Sequence, residues 1–483
     1  MQMAAGGEAG GGKVGAAAAM GVMALALSIA MAGGSAFLLW RGDIGDDMVN
    51  TLPRGCEAVA LVPAPAELRR IAAGAGQWRG LPTPLQPLAV GLQDAVTTTL
   101  GTEPMPGLDE QAGLGVCWTE DGSLTTLGIA PGGIDALLGA LAARIGKGQW
   151  RPAQPVGGFV EYQLVADDGK ILAAALAGER RLQLVRDAAD PTPRLAALVR
   201  KVQSDPMRGD VLVRAAIERI GAGALQLVLG GKRTRATAER IAPLAPLATF
   251  GRDHARFLAV SLRDDLDDGR VHAHVHVGVG EDAAGEVAVA TLKRALDPGV
   301  TRPSSAALKG LTAGGVVRLG PAAWTADAAG RAAAEHLPGA STVLPLLAPQ
   351  GGLEALSGCW EGTVVWGVAA AGQPPGGRFA AFGLRDGKSA PAGAVADARW
   401  WVVSPDGEAV ARAALAHLAA HPAADPAAQE DRARILDDTQ GFFVQAGADA
   451  LGWGLGQAAL EGELIWLDTG LVLHLGFTPS GRR

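Results

Sequence analysis

The chain has 483 residues, a formal net charge of −7 and 48% hydrophobic residues. That length exceeds what one core supports and suits two or three domains, while the apolar share is that of a globular protein. The acidic balance is spread along the chain, and with no basic stripe nothing points to nucleic acid.

An uncharged run from Val14 to Trp40 comes first. As a helix it would span roughly 40 Å, enough to cross a hydrocarbon core of about 30 Å. In lipid a continuous helix is the form that bonds every backbone amide internally. Trp40 and Arg41 close the run with an interfacial ring and a charge, and Asp43, Asp46 and Asp47 bar its continuation into lipid. Ala30-Met31-Ala32 has the small-x-small form of a signal-peptide cleavage site. Ala36 to Trp40 nevertheless continues the apolar surface, which a cleaved peptide does not need. The expectation is an uncleaved transmembrane anchor (residues 14–40) between a cytoplasmic tail (residues 1–13) and a linker (residues 41–52). Lys13 precedes the run and Arg41 and Arg54 follow it, so the Lys/Arg count does not settle topology. A short tail before a long domain is the usual signal-anchor arrangement, which puts the domain outside.

Beyond the linker a plan recurs. A short apolar strand is followed by a helix-like segment at Ala58–Val62, at Leu225–Leu229 and at Val316–Leu319. A strand then ends in a turn and an Ala-rich helix at Leu127–Ile145, His276–Leu296 and Trp401–His421. Hairpins precede two of these helices. One turns at Glu120-Asp121-Gly122 and the other at Asp264 to Gly269, Asp-Gly between alternating strands being a hairpin signal. Cys117-Trp118 and Cys359-Trp360 are expected in equivalent places. Tight hairpins and alternating strands favour an α+β fold of repeated antiparallel sheets with helices packed on one face. The predicted units are residues 53–205, 206–300 and 301–483.

The opening strand after Leu52-Pro53, the hairpin-then-helix units and the stretch from Phe159 through Arg186 give the chain its resemblance. It resembles uncharacterised bacterial envelope proteins that carry an N-terminal anchor and repeated α+β extracytoplasmic domains. The resemblance covers about half the chain and implies a place in the bacterial inner membrane with the large domain in the periplasm. It brings no catalytic residue with it.

Three cysteines are present, Cys56, Cys117 and Cys359, an odd number that cannot all pair within one chain. In an oxidising compartment Cys56 and Cys117 could join two strands of the first unit. The alternative is three buried small hydrophobes, because sequence does not show the Cα separation a bridge needs.

The sharpest chemical motif is Val271-His272-Ala273-His274-Val275-His276-Val277. Strand side chains alternate, so His272, His274 and His276 share a face. Imidazoles so spaced could hold zinc or copper, with Asp264, Asp268 or His254 as a fourth ligand. The plainer reading is a half-buried strand whose valines face the core and whose histidines face water. Asp264 to Gly269 fails as a calcium loop, since Leu266 sits where an oxygen is required. Gly230 to Thr234 fails as a phosphate loop because Arg233, not Ser or Thr, follows Lys232. Gly454 to Ala459 lacks the βαβ setting of a dinucleotide site, and Ser304-Ser305 with Lys309 misses the Ser-x-x-Lys spacing. Trp360, Trp366, Trp400, Trp401, Trp453 and Trp466 crowd the last unit, either as a ligand groove or as core. Two functions follow. The first is a non-enzymatic binding or structural module facing an envelope protein, a lipid or the cell wall. The second is a metal-dependent hydrolase built on His272, His274 and His276, with zinc as the metal it would take.

Overall fold

The computed structural model describes residues 48–75, 93–230, 245–297, 311–320, 358–420, 441–445 and 460–477, with short interruptions inside these ranges. The Val14–Trp40 run, the segments 231–244, 298–310 and 421–440, and the 454–459 motif lie outside the described residues. Among the described residues no helix is long and apolar enough to cross a membrane.

The first unit runs through β1 (Ala58–Val62), α1 (Pro65–Ala75), β2 (Leu114–Thr119), β3 (Gly122–Gly128) and α2 (Ile134–Ile145). The chain continues with β4 (Gln149–Val156), β5 (Phe159–Val165), β6 (Ile171–Ala177), β7 (Arg181–Arg186) and α3 (Pro191–Ser204), and the second unit opens with α4 (Val211–Ile220). Then come β8 (Leu225–Gly230), α5 (Ala245–His254), β9 (Phe257–Asp265), β10 (Arg270–Gly278) and α6 (Ala283–Leu296). The last unit holds β11 (Leu311–Arg318), β12 (Trp360–Ala369), β13 (Arg378–Leu384), β14 (Val395–Ala396), β15 (Trp400–Val403) and α7 (Glu408–Ala420). It ends with β16 (Gly441–Gln445), β17 (Leu460–Leu467) and β18 (Gly470–Phe477).

The fold is a mixed α+β one on a large antiparallel sheet. In each unit the opening strand pairs with the first strand of the hairpin: β1 with β2, β8 with β9, and β11 with β12. The units also pair with one another. β1 bonds to β8, and β18 returns from the end of the chain to bond to β10. Followed strand by strand, the ladder reads β4-β5-β6-β7-β3-β2-β1-β8-β9-β10-β18-β17-β16-β11-β12-β13-β15-β14. All 18 strands share it. Each repeat leaves strand edges unpaired by itself, and joining the units satisfies those backbone groups.

Helices cover both faces, not one as expected. On β6, Ala173 and Ala175 lie in the core that holds Leu137, Leu138 and Leu141 of α2. Ala174, one residue along, lies in the core that holds Leu195 and Leu198 of α3. All three alanines are fully buried, and their small side chains let a helix approach from either side. The same split holds on β9. Ala259 packs with Ala216 and Ile220 of α4, whereas Leu262 packs against the core shared with Leu68 and Ile71 of α1. A strand buried on both faces shows no polar face in its sequence, and Ile-Leu-Ala-Ala-Ala-Leu-Ala of β6 is of that kind.

Two further differences concern packing. The last residues of the expected linker are core: Met48 and Leu52 are fully buried among Val59, Leu61 and Met207. Leu52 accepts a hydrogen bond from the Met207 amide at 2.9 Å, and the Arg54 amide donates to Asp205 at 3.0 Å. The expected Cys-Trp equivalence also fails. Cys117 lies within β2, whose end pairs with the start of β1, while Cys359 precedes β12, whose start lies near the end of β11.

Candidate functional site

β10 runs between β9 and β18, and the register sets who faces whom. His272 lies opposite Arg263, His274 opposite Ser261, and His276 opposite Ala259 on the β9 side. On the other side His274 lies opposite His474. Directly opposed residues share a face, so the histidines and His474 are on one side of the sheet. α4 covers part of that side. Ser261 Oγ donates to the Ile220 carbonyl at 2.8 Å and pins the end of α4 to β9.

The three expected histidines therefore separate. His276 is buried beneath α4, 1% exposed, with its ring edge-on to Phe257 at 4.9 Å between centroids. Neither of its ring nitrogens has a hydrogen-bond partner among the described residues. Burial, with the Arg219 charge nearby, pushes its pKa down to about 4, so it is a neutral ring at pH 7. His272 and His274 are half-buried beyond the helix and meet His474 instead. His272 Nδ1 is 3.1 Å from His474 Nε2, and the His274 ring stacks on His474 at 4.3 Å. His474 is pushed to about 4, by burial first and then by His274 and His272. His274 is lowered by burial, His272 and Arg263. The row across the sheet reads Ser261, His274, His474, Glu463.

This arrangement is a compact set of three imidazoles, in which burial favours the neutral form of His274 and His474 and the His272–His474 contact gives a proton a path between rings. Among the described residues no group of three or more His, Cys, Asp or Glu side chains is placed to hold a metal ion. Asp264 pairs with Val271, which puts it on the opposite face from the histidines, and its amide donates to Glu67 Oε1 at 2.8 Å. His254 is exposed at the end of α5 beside Phe250, and Asp268 lies outside the described residues.

His474 was not among the expected site residues, although a single imidazole in Leu471-Val472-Leu473-His474-Leu475 is a polar interruption of an apolar strand. Its partner strand lies some two hundred residues away, so only the pairing reveals the cluster.

Cys56 and Cys117 form a disulfide, with Cα atoms 5.6 Å apart, within the range such a bond requires. It ties the residues just before β1 to β2. Cys359 is a buried thiol outside any disulfide among the described residues, and burial pushes its pKa up. The tryptophans resolve as core: Trp360, Trp366, Trp400 and Trp401 are each at most 5% exposed. Trp366 and Trp401 share one core with Phe382, and Trp400 lies in another with Phe379. Of the two readings offered for them, these four rings follow the core one and not the groove. Trp453 lies outside the described residues.

No family model matches this chain, and no curated protein matches it. Among solved structures the chain is similar to TP0453 of Treponema in several crystal forms. Form III has 8% identity and a TM-score of 0.29, covering 52% of this chain and 88% of that one. Form I has 7% identity and the same TM-score, covering 52% and 86%. A superposition at that level carries no argument about fold or activity.

Proposed function

We propose that this chain is a single-pass, membrane-anchored extracytoplasmic protein and a non-enzymatic binding or structural module of the bacterial cell envelope. The Cys56–Cys117 bond is the observation that carries this reading. Structural disulfides persist in the periplasm and are rare in the reducing cytosol. The bond follows the Val14–Trp40 run closely in sequence, so anchor and bond argue for the same side of the membrane. A continuous antiparallel sheet, with the half-buried His272–His274–His474 set on one face, supports a protein, lipid or cell-wall partner over bond-breaking chemistry. The hydrolase alternative needs His272, His274 and His276 to converge on one zinc, and the burial of His276 against Phe257 weighs against it.

The test is a thiol count on full-length protein from cells alkylated before lysis. One cysteine is expected to react after denaturation, and all three after reduction as well. Three reactive thiols without reductant would place the domain in a reducing compartment and sink the reading. Crosslinking in membranes followed by pull-down then identifies the class of partner.

A further inference from the structure

Resting on that anchored reading, we propose that the α3–α4 corner docks onto the bilayer itself, with Val211 and Leu212 entering the headgroup layer and Arg54, Lys201 and Arg208 facing anionic phosphates. Val211 is 74% exposed and Leu212 53%, and they form the one adjacent pair of strongly exposed large apolar residues among those described. Phe159, Val287 and Ile465 are exposed singly on three other elements, as is ordinary for a protein surface.

α4 is built as an amphipathic helix whose first turn breaks its own pattern. Val213, Ala216 and Ile220 face the core, and Arg214 and Glu218 form an ion pair on the outer side. Val211 lies on that outer side too, at the helix start, where a polar residue would be expected for water. Asp210 is occupied as the helix cap, accepting from the Leu212 and Val213 amides.

The place of this corner decides the partner. Pro53 bridges Pro206, and Met207 bonds back to Leu52. The chain arriving from the anchor is thus bonded to the same short segment that leads into Val211. Residues 41–47, between the apolar run and buried Met48, can reach at most about 25 Å. The corner is therefore tethered close to the membrane. Its charge suits that surface although the whole chain is acidic. Lys201 Nζ lies 3.7 Å from where a Cβ on Gly55 would stand, next to Arg54, and Arg208 is exposed three residues before Val211. Asp205 is engaged by Arg54 at 3.9 Å. Apolar side chains flanked by Lys201 and Arg208, with Asp205 held by Arg54 and Asp210 held as the helix cap, suit an interfacial contact with anionic lipid.

The experiment uses the full chain in vesicles of phosphatidylcholine with phosphatidylglycerol. A nitroxide is placed at Leu212→Cys or, for comparison, at the exposed Val287→Cys of α6, with unsubstituted protein as the labelling blank. Collision with a water-soluble nickel complex and with oxygen is read for each, and carbonate extraction is read separately. The expected result is a label at position 212 severalfold less accessible to nickel than at 287, and oxygen-rich. Arg208→Glu is expected to remove most of that protection. Equal nickel accessibility at 212 and 287 in carbonate-resistant protein overturns the docking and leaves the anchor standing. Protection at 212 in carbonate-extractable protein supports the docking and overturns the anchor. Failure to float with the vesicles overturns both.

Discussion

Two regions of this protein carry a Cys-Trp pair at a strand, and they are stabilised by opposite means. Around Cys117-Trp118 the link is covalent: Cys117 joins Cys56, and Trp118 remains half-buried. Around Cys359-Trp360 the sulfur is a buried thiol and the ring is buried too, with its Nε1 donating to the Thr363 carbonyl at 2.8 Å. There Trp360, Phe382 and Trp401 form a run of tilted and edge-on rings. The first region ties the segment that leads into β1 to β2 through the Cys56–Cys117 bond. The third is two-faced wall, with α7 on one side through Ala411, Ala414 and Leu418. A cross-link limits the unfolded chain, whereas aromatic packing favours the folded one, so different perturbations should find each region.

The largest effect is expected at Trp401, which is fully buried and packs on Phe382 at 5.2 Å. Trp401→Ala should cost about 3–5 kcal/mol, the range for deleting a large buried ring. Denaturant unfolding followed at the third unit and at the Cys56–Cys117 end would show whether loss spreads along the shared sheet. A loss confined to the third unit would mean that the β10–β18 seam does not couple the units.

Breaking the disulfide comes next. It closes a separation of 61 residues, and removing a bond of this kind costs about 2–4 kcal/mol, chiefly through the freed unfolded chain. Cys56→Ser with Cys117→Ser should lower the midpoint of the first region and leave the aromatic wall's local exchange unchanged. An unchanged midpoint would show that burial of Met48 and Leu52 alone holds the segment.

These two regions differ in how much of them is legible in the sequence. The hairpins are, because alternation and a Gly in a tight turn are local signals; Gly122 has a φ of 135° at the β2–β3 turn. Sidedness is not. Ala173, Ala174 and Ala175 look alike in sequence and face different helices. β4 is hidden by Pro152 and Pro155, which it tolerates as an end strand with irregular register between them. The cysteine bridge depends on a through-space separation, and the His474 contact on a pairing between distant segments. Both are non-local and leave no periodic trace.

Acid should set the regions apart as well, by a gradual loss. His276 titrates near 4 in the fold against about 6.5 when unfolded. As pH falls below about 6.5 the unfolded chain takes up the proton first, so stability is full above that value and drains until the pH nears 4. One such group gives a slope of about 1.4 kcal/mol per pH unit inside the window. His474, lowered in the same direction, adds to it at the β10–β18 seam. The denaturation midpoint should fall between pH 7 and pH 5, and His276→Phe should flatten that fall. The aromatic wall, whose buried rings do not titrate in this range, should keep its local protection until the seam fails. An equal pH slope in His276→Phe would assign the acid sensitivity elsewhere.

The smallest effect is expected at Cys359, the buried thiol of the packed third unit. Burial raises its thiol pKa, which withholds the thiolate that reacts, and β12 shields the sulfur from reagents. Cys359→Ala removes one small polarizable atom and should cost about 1 kcal/mol, near the value of a buried methylene. In the native protein a disulfide reagent should modify Cys359 no faster than the third unit opens, and Trp401→Ala should accelerate that reaction by the same factor by which it raises opening. If Cys359 reacted quickly while the wall stayed protected, the sulfur would have a route to solvent. The contrast between a covalent first region and a packed third would then be a contrast in oxidation state alone.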